Sequence, residues 1–309
     1  MMLRTENLSV VLPGGLRALS GIDLGIARGE AVGLVGESGS GKSMAALALI
    51  GLLPPSARVT GRVMLDGRDL LALDEAEWCA LRGARIAMVF QEPMTALDPV
   101  MRVVDQVAEA WRAHERLRTP DARARAAALL EQVGIATPRA FPHQLSGGQR
   151  QRVMIAAALA AAPDLLIADE PTTALDVTVQ ARILDLLAGL SVARSMAMLL
   201  ITHDIGIVEQ VASRVLVMYA GRVVEEGPTE AVIARRAHPY TRGLVAASPH
   251  GEHGGRPVAI PGQMPNPRLL PPGCAFAPRC PRADHVCQTR VPPLANVGGH
   301  LAACWHPHA

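Results

Sequence analysis

One eight-residue stretch, Gly36-Glu37-Ser38-Gly39-Ser40-Gly41-Lys42-Ser43, restricts the fold of this chain more than any other. It has the spacing G-x-x-x-x-G-K-S, with an apolar run before it at 30–35 (EAVGLV) and an Ala/Leu-rich run after it at 44–53, ended by Pro54-Pro55. Strand, glycine-rich loop and helix in that order make a phosphate-binding loop. Its glycines let the backbone wrap closely, so that successive N–H groups and the positive helix end face an anion. Lys42 meets the β- and γ-phosphates of a nucleotide as a compact charge, and Ser43 offers its hydroxyl to Mg²⁺. Lys42 is also the one lysine in the sequence; every other basic side chain apart from histidine is arginine. Where composition favours Arg throughout, a retained Lys marks a place that a planar guanidinium does not suit.

The rest of the chain alternates apolar strands with helices. Strands are expected at 85–90, 165–168, 197–201 and 214–218, and helices at 103–114, 121–133, 149–161, 177–190 and 205–212. That alternation predicts an α/β fold with a largely parallel sheet. Hydrophobic residues make up 50% of the chain and aromatics only 3%, in keeping with buried parallel strands. Residues 1–227 are expected to form one nucleotide-binding domain, with a helical subdomain at about 100–160. Residues 228–309 are rich in Pro, Gly, His and Cys and are expected to form a small irregular module. A net charge of +2 argues against a nucleic-acid partner. No run reaches the ~20 apolar residues of a spanning helix, and the N-terminus lacks the apolar core of a signal peptide.

Two further motifs carry chemistry. The run Leu165-Leu166-Ile167-Ala168 ends in Asp169-Glu170. Such a pair alone could cap a helix; beside a phosphate loop, Asp169 suits the Mg²⁺ shell and Glu170 can orient and deprotonate an attacking water. In Leu145-Ser146-Gly147-Gly148-Gln149, Ser146 is a good helix N-cap and the glycines expose amides at a positive helix end, a second anion site. One nucleotide rarely needs both sites from one subunit. Two subunits meeting head to tail, each lending its second site to the other's nucleotide, explain the pair.

With LSGGQ at 145–149 between the phosphate loop and the acidic strand, the chain resembles an ATPase subunit of an ABC transporter, and the resemblance covers essentially the whole chain. It implies a P-loop NTPase of ABC type that binds ATP and Mg²⁺. Gln91 resembles the glutamine that contacts Mg²⁺ or the attacking water. Ala174-Leu175-Asp176 resembles the loop whose Asp176 works across the dimer interface. His203, between Thr202 and Asp204, resembles the histidine that contacts the γ-phosphate. One element departs from the family. No Tyr, Phe, Trp or His precedes Gly36 to stack on adenine, which leaves Val11, Leu12 or Leu16 as an apolar platform.

Finer likenesses point to importers of peptides or nickel: Met88-Val89-Phe90-Gln91-Glu92-Pro93-Met94-Thr95-Ala96-Leu97-Asp98-Pro99, His238-Pro239-Tyr240-Thr241-Arg242-Gly243-Leu244, and Gly273-Cys274-Ala275-Phe276-Ala277-Pro278-Arg279-Cys280-Pro281. The resemblance implies a second, related ATP-binding subunit, two transmembrane permease subunits and an extracytoplasmic substrate-binding protein. It also implies a place at the cytoplasmic face of the inner membrane. Di- or oligopeptides are the expected cargo, with nickel or another small solute as the alternative. A soluble ABC ATPase outside transport is a further class, and it usually carries coiled-coil insertions or two cassettes. Cys274, Cys280, Cys287 and Cys304 can hold a [4Fe–4S] cluster or a tetrahedral Zn²⁺; members of the resembled subfamily can carry the cluster here. His285, His300, His306 and His308 read as a solvated tail, with zinc ligation as the minor option, and Cys79 as a packing residue.

Overall fold

The computed structural model describes residues 1–91, 96–173, 175–248 and 258–308. Glu92, Pro93, Met94, Thr95 and Ala174, named in the motifs above, lie outside the described residues. Residues 1–72 together with 200–309 form one compact unit, and residues 73–199 form a second.

The first unit contains two sheets. The strands β1 (Leu3–Leu12), β2 (Leu16–Ile22), β3 (Gly25–Ile26), β5 (Arg58–Leu65) and β6 (Arg68–Asp69) form an antiparallel sheet in the order β2-β1-β5-β6, with β3 paired to β1. Apolar runs do not reveal these strands, because Arg4 and Glu6 interrupt β1. Its signal is partial alternation: Leu3, Thr5, Leu8 and Val10 are buried, as in a sheet with one wet face. In the other sheet, β4 (Ala31–Val35) runs parallel to β10 (Arg214–Tyr219), with Val35 opposite Val217. The antiparallel β11 (Arg222–Pro228) follows, and β13 (Leu301–Ala302), paired with β12 (Ala295–Asn296), returns the chain end to β11 at Glu225 and Glu226. Helix α1 (Lys42–Leu49) follows the phosphate loop, as the sequence predicts.

In the second unit, β7 (Ile86–Val89) and β8 (Leu165–Asp169) are parallel neighbours. Every residue of β8 is buried, which explains its unbroken apolar run. Short α2 (Glu75–Leu81) precedes three helices, α3 (Val103–His114), α4 (Thr119–Gln132) and α5 (Gly147–Leu159). Val103, Val104, Val107, Ala108 and Trp111 of α3 are buried, as are Ala122, Ala126, Leu129 and Leu130 of α4, at the three- and four-residue spacing of an amphipathic helix. Next come α6 (Val177–Arg194) and β9 (Ala197–Thr202), along which the chain passes back into the first unit. There α7 (Ile205–Val211), α8 (Thr229–Arg235), α9 (Pro239–Ala247) and α10 (His285–Thr289) complete the helices described. Among the described residues, no helix is long and apolar enough to cross a membrane.

Candidate functional site

The phosphate loop leaves β4 and enters α1 at Lys42. Its glycines are required by close backbone approach. A Cβ on Gly36 would lie 2.3 Å from the Met218 carbonyl oxygen. Gly41 has φ +105°, and a Cβ there would lie 2.7 Å from the Ala18 carbonyl oxygen. Lys42 is 5% exposed. Its ammonium donates to the carbonyls of Gly36 at 2.7 Å and Glu37 at 3.1 Å, so the cation lies along the loop backbone. Ser40 is fully buried, and its hydroxyl has no hydrogen-bond partner among the described residues. Ser38, Gly39 and Ser43 are exposed. Tight loop, buried cation and exposed Ser43 together fit a nucleotide phosphate chain with its Mg²⁺. Val11 and Leu12 pair with Arg17 and Leu16 across the β1–β2 hairpin, all four at intermediate or greater exposure.

In the second unit, strand register brings two site residues together. Val89 lies opposite Ala168 in the β7–β8 pair, so the chain ends beyond them emerge side by side. Gln91 Nε2 donates to Glu170 Oε2 at 3.3 Å, and Thr173 Oγ1 donates to the same oxygen at 2.8 Å. Asp169, at the end of β8, is 4% exposed. Glu170 has φ +45°, a left-handed conformation costly for a residue with a Cβ, and such outliers concentrate at functional sites.

Ser146 caps α5 as the sequence predicts. Its Oγ accepts from Gln149 N at 3.3 Å, and Gln149 Oε1 accepts from Ser146 N at 2.9 Å, a reciprocal capping box. The first turn of α5 lies against the start of α6: a Cβ on Gly148 would lie 2.5 Å from Val179 Cγ1, and one on Gly147 3.6 Å from Leu175. Asp176, exposed, caps α6 by accepting from Val179 N at 2.9 Å. The serine-glycine turn (Ser146, Gly147, Gly148, Gln149) and Asp176 are thus neighbours, although Asp176 lies 27 positions beyond Gln149 in the sequence.

His203 follows β9 in the first unit and is exposed. The residues on either side of it are fixed: Asp204 N donates to Thr202 Oγ1 at 3.1 Å, and Asp204 Oδ1 accepts from Gly206 N at 2.9 Å and Ser248 Oγ at 2.6 Å.

Cys274, Cys280, Cys287 and Cys304 line one pocket with His238, Phe276, Trp305 and His306. Burial, with the neighbouring thiols adding to it, pushes the Cys304 thiol up to about 11 and raises Cys274 as well. Among the described residues, the group whose ligand atoms all lie within 4.8 Å of one another is Asp284, Cys287 and His306. Asp284 caps α10 and accepts from His306 Nε2 at 2.9 Å. The Cys287 amide holds the Asp284 carboxyl down to about 2, and His306 adds to the effect. The solvated-tail expectation fails for two histidines. His300 is 3% exposed and shares a 2.7 Å hydrogen bond with the fully buried Glu225, while His306 is half-buried against Asp284. Nor is Cys79 a packing residue: it is exposed on α2 and donates to Glu75 at 3.6 Å.

One part of the site escapes sequence reasoning. The backbone N–H of Glu37 donates to Tyr240 Oη at 2.7 Å, and the Glu37 carboxylate binds Arg279. Tyr240 and Arg279 both fall in motifs noted above, but nothing local ties them to the phosphate loop.

Comparison with known proteins places these features in context. Residues 19–173 match the family model for ABC transporters, and residues 224–287 match that for the oligopeptide/dipeptide transporter C-terminal region. The chain is 48% identical over 298 residues to a probable peptide ABC transporter ATP-binding protein of Sinorhizobium fredii, covering 94% of this chain and 89% of that one. It is 45% identical over 315 residues to the oligopeptide transport ATP-binding protein OppD of Salmonella typhimurium, covering 99% and 94%. Against OppD of Mycobacterium tuberculosis, 52% identical over 295 residues, the match covers 93% of this chain but only 48% of that longer protein. Among solved structures, a dimeric ATP-binding cassette, MJ0796, bound to ADP and Pi, superposes with a TM-score of 0.67 at 31% identity, covering 74% of this chain and 99% of that one.

Proposed function

The chain belongs to the ABC transporter family and is an ATPase of that family, and from this premise we propose that it powers an importer of di- or oligopeptides. The observation that carries the proposal is the joint presence, in one chain, of the cassette at 19–173 and the peptide-transporter C-terminal region at 224–287. The relatives named for peptide transport support the same cargo class. Two such cassettes close around nucleotide, the second being a related chain. The pair works with two permease subunits and an extracytoplasmic binding protein, at the cytoplasmic face of the inner membrane.

Roles follow residue by residue. Gly36, Ser38, Gly39, Ser40 and Gly41 present loop amides to the phosphates, and Lys42 exchanges the Gly36 and Glu37 carbonyls for phosphate oxygens. Ser43, Asp169 and Gln91 would supply oxygen ligands to Mg²⁺, which neutralises phosphate charge when bound. Glu170 takes the proton of the attacking water, with Gln91 and Thr173 orienting its carboxylate. His203 contacts the γ-phosphate. Ser146, Gly147, Gly148 and Gln149, with Asp176 beside them, serve the nucleotide of the opposing subunit. The nucleotide-binding domain is taken as residues 1–227 and the C-terminal extension as 228–309.

The four cysteines would hold a [4Fe–4S] cluster; their shared pocket supports this. Its role would be structural. A zinc reading is favoured by one observation, the close grouping of Asp284, Cys287 and His306. Anaerobically purified protein should be brown and contain iron near one cluster per chain; colourless protein with stoichiometric zinc selects the second reading.

The transport reading is tested by deleting the gene and measuring uptake of labelled peptides. Uptake should fall and be restored by the wild-type gene but not by Glu170→Gln. Loss of nickel uptake with peptide uptake intact would overturn the cargo assignment.

A further inference from the structure

We propose that Arg279 is a positioning residue for ATP binding: it grips Glu37 and so holds the phosphate loop in its binding shape. The inference rests on the phosphate-loop reading above and extends it to the C-terminal extension.

Arg279 is anchored on every side. Its side chain is only 4% exposed. Each of its five N–H donors has its own acceptor. Nε donates to the Pro261 carbonyl at 2.8 Å. Nη1 donates to Glu37 Oε2 at 2.6 Å and to Tyr219 Oη at 3.3 Å. Nη2 donates to Glu37 Oε1 at 3.0 Å and to the Ile260 carbonyl at 3.1 Å. The guanidinium also lies 5.9 Å from the Tyr219 ring centre and 5.8 Å from that of Phe276. A fully satisfied planar fork of this kind is available to Arg and not to Lys, which has three donors and no plane. The turn that carries it, Ala277–Arg279, closes on the carbonyls of Cys274 and Phe276.

Glu37 is the residue through which this anchor acts. Its carboxylate takes both arms of the fork, its N–H donates to Tyr240 Oη, and its carbonyl accepts from Lys42 Nζ and from Ser40 N at 3.1 Å. Fixing Glu37 therefore fixes the point where the loop backbone meets Lys42. Two physical effects make this matter for nucleotide affinity. A glycine-rich loop has many alternative shapes, and a loop already held in one of them loses less entropy on binding. A carboxylate in the phosphate loop also repels a triphosphate; the guanidinium cancels that charge.

The test measures ATP affinity and turnover in the full chain for wild type, Arg279→Met, Arg279→Lys, Glu37→Gln and the Arg279→Met/Glu37→Gln pair, with Lys42→Ala alongside. Arg279→Met should weaken ATP binding about tenfold, equivalent to about 1.4 kcal/mol, raising KM for ATP far more than it lowers kcat. Glu37→Gln placed on Arg279→Met should recover part of the loss, because the unmasked charge is gone; the two changes are then non-additive. Should Arg279→Met fail to fold, Arg279→Lys carries the test, with a smaller rise of about threefold. Unchanged ATP affinity in the Arg279 variants, with Lys42→Ala defective, overturns this inference alone. A defect that adds simply to that of Glu37→Gln overturns the route through Glu37. Lys42→Ala binding ATP like wild type overturns the phosphate-loop reading and this inference with it.

Discussion

Replacing Glu170 separates its chemical role from its conformational cost. The residue has φ +45°, and a left-handed conformation costs a residue with a Cβ about 1–2 kcal/mol. Glu170→Gly removes that cost. The same change deletes the hydrogen bonds that Glu170 Oε2 accepts from Thr173 Oγ1 at 2.8 Å and Gln91 Nε2 at 3.3 Å, about 0.5–1.5 kcal/mol each, and adds glycine's backbone entropy, about 0.5–1 kcal/mol. The relieved strain offsets roughly half of these losses, so Glu170→Gly should be less stable by about 1 kcal/mol, or about 2–4 °C in Tm. The chemical loss is larger. Removing a general base costs about 10²–10⁴ in rate, which is about 2.7–5.5 kcal/mol of barrier. Glu170→Gln keeps the acceptor that Thr173 uses and should show the same fall in turnover. Phosphate release, ATP binding and thermal melting on the two variants are the assays. Both should bind ATP, melt close to wild type and turn over at least a hundredfold more slowly. Turnover within tenfold of wild type in Glu170→Gln removes Glu170 from the base role. A fall in Tm beyond about 6 °C in Glu170→Gly shows that the backbone there is not strained as argued.

Three further changes probe other parts of the chain. Lys42→Ala should lose ATP binding, and Lys42→Arg should fail to restore normal hydrolysis because the guanidinium presents a broad fork where a compact charge is needed; phosphate release at wild-type rates from the Arg variant refutes this account. Gly33→Ala would place a Cβ 2.2 Å from Val208 Cγ1 and should cost about 1–3 kcal/mol by overpacking, with Val208→Ala on the same chain relieving it in thermal melts. Burial depresses His238 to about 3 from an ordinary 6.5, so the unfolded state takes up that proton first as pH falls. The stability this contributes is complete above pH 6.5 and is lost as pH drops from there towards 3, by up to about 1.4 kcal/mol per pH unit. His238→Asn keeps an acceptor for the Tyr240 amide and should flatten that part of the pH dependence of denaturant midpoints; an unaltered slope refutes the assignment.

Sequence reasoning reached furthest where structure is local. The strand, loop and helix around Gly36 and Lys42 were legible because glycine spacing and one apolar run specify them within a few residues. Ser146 with Gln149 was legible as a helix start for the same reason, although the reciprocal bond between the two side chains became visible only in the fold. The antiparallel strands β1, β2 and β5 were missed because charged residues on their wet face break the apolar runs that mark buried strands. His300 and His306 of the C-terminal segment were misjudged because their burial depends on what packs over them. Glu225, far from His300 in sequence, decides that His300 is an interior residue.

By itself, then, the sequence determined the chemistry this chain can carry: a lysine-bearing phosphate loop, an acidic strand end and a serine-glycine helix start, each set by neighbours in the chain. Tertiary structure decided how that chemistry is held. The β7–β8 register brings Gln91 to Glu170 across 79 residues, and packing of the C-terminal extension brings Arg279 to Glu37 across 242. Contacts of that range have no signature in local spacing, because they arise only when separate elements bury their apolar faces against one another and leave particular polar groups to meet.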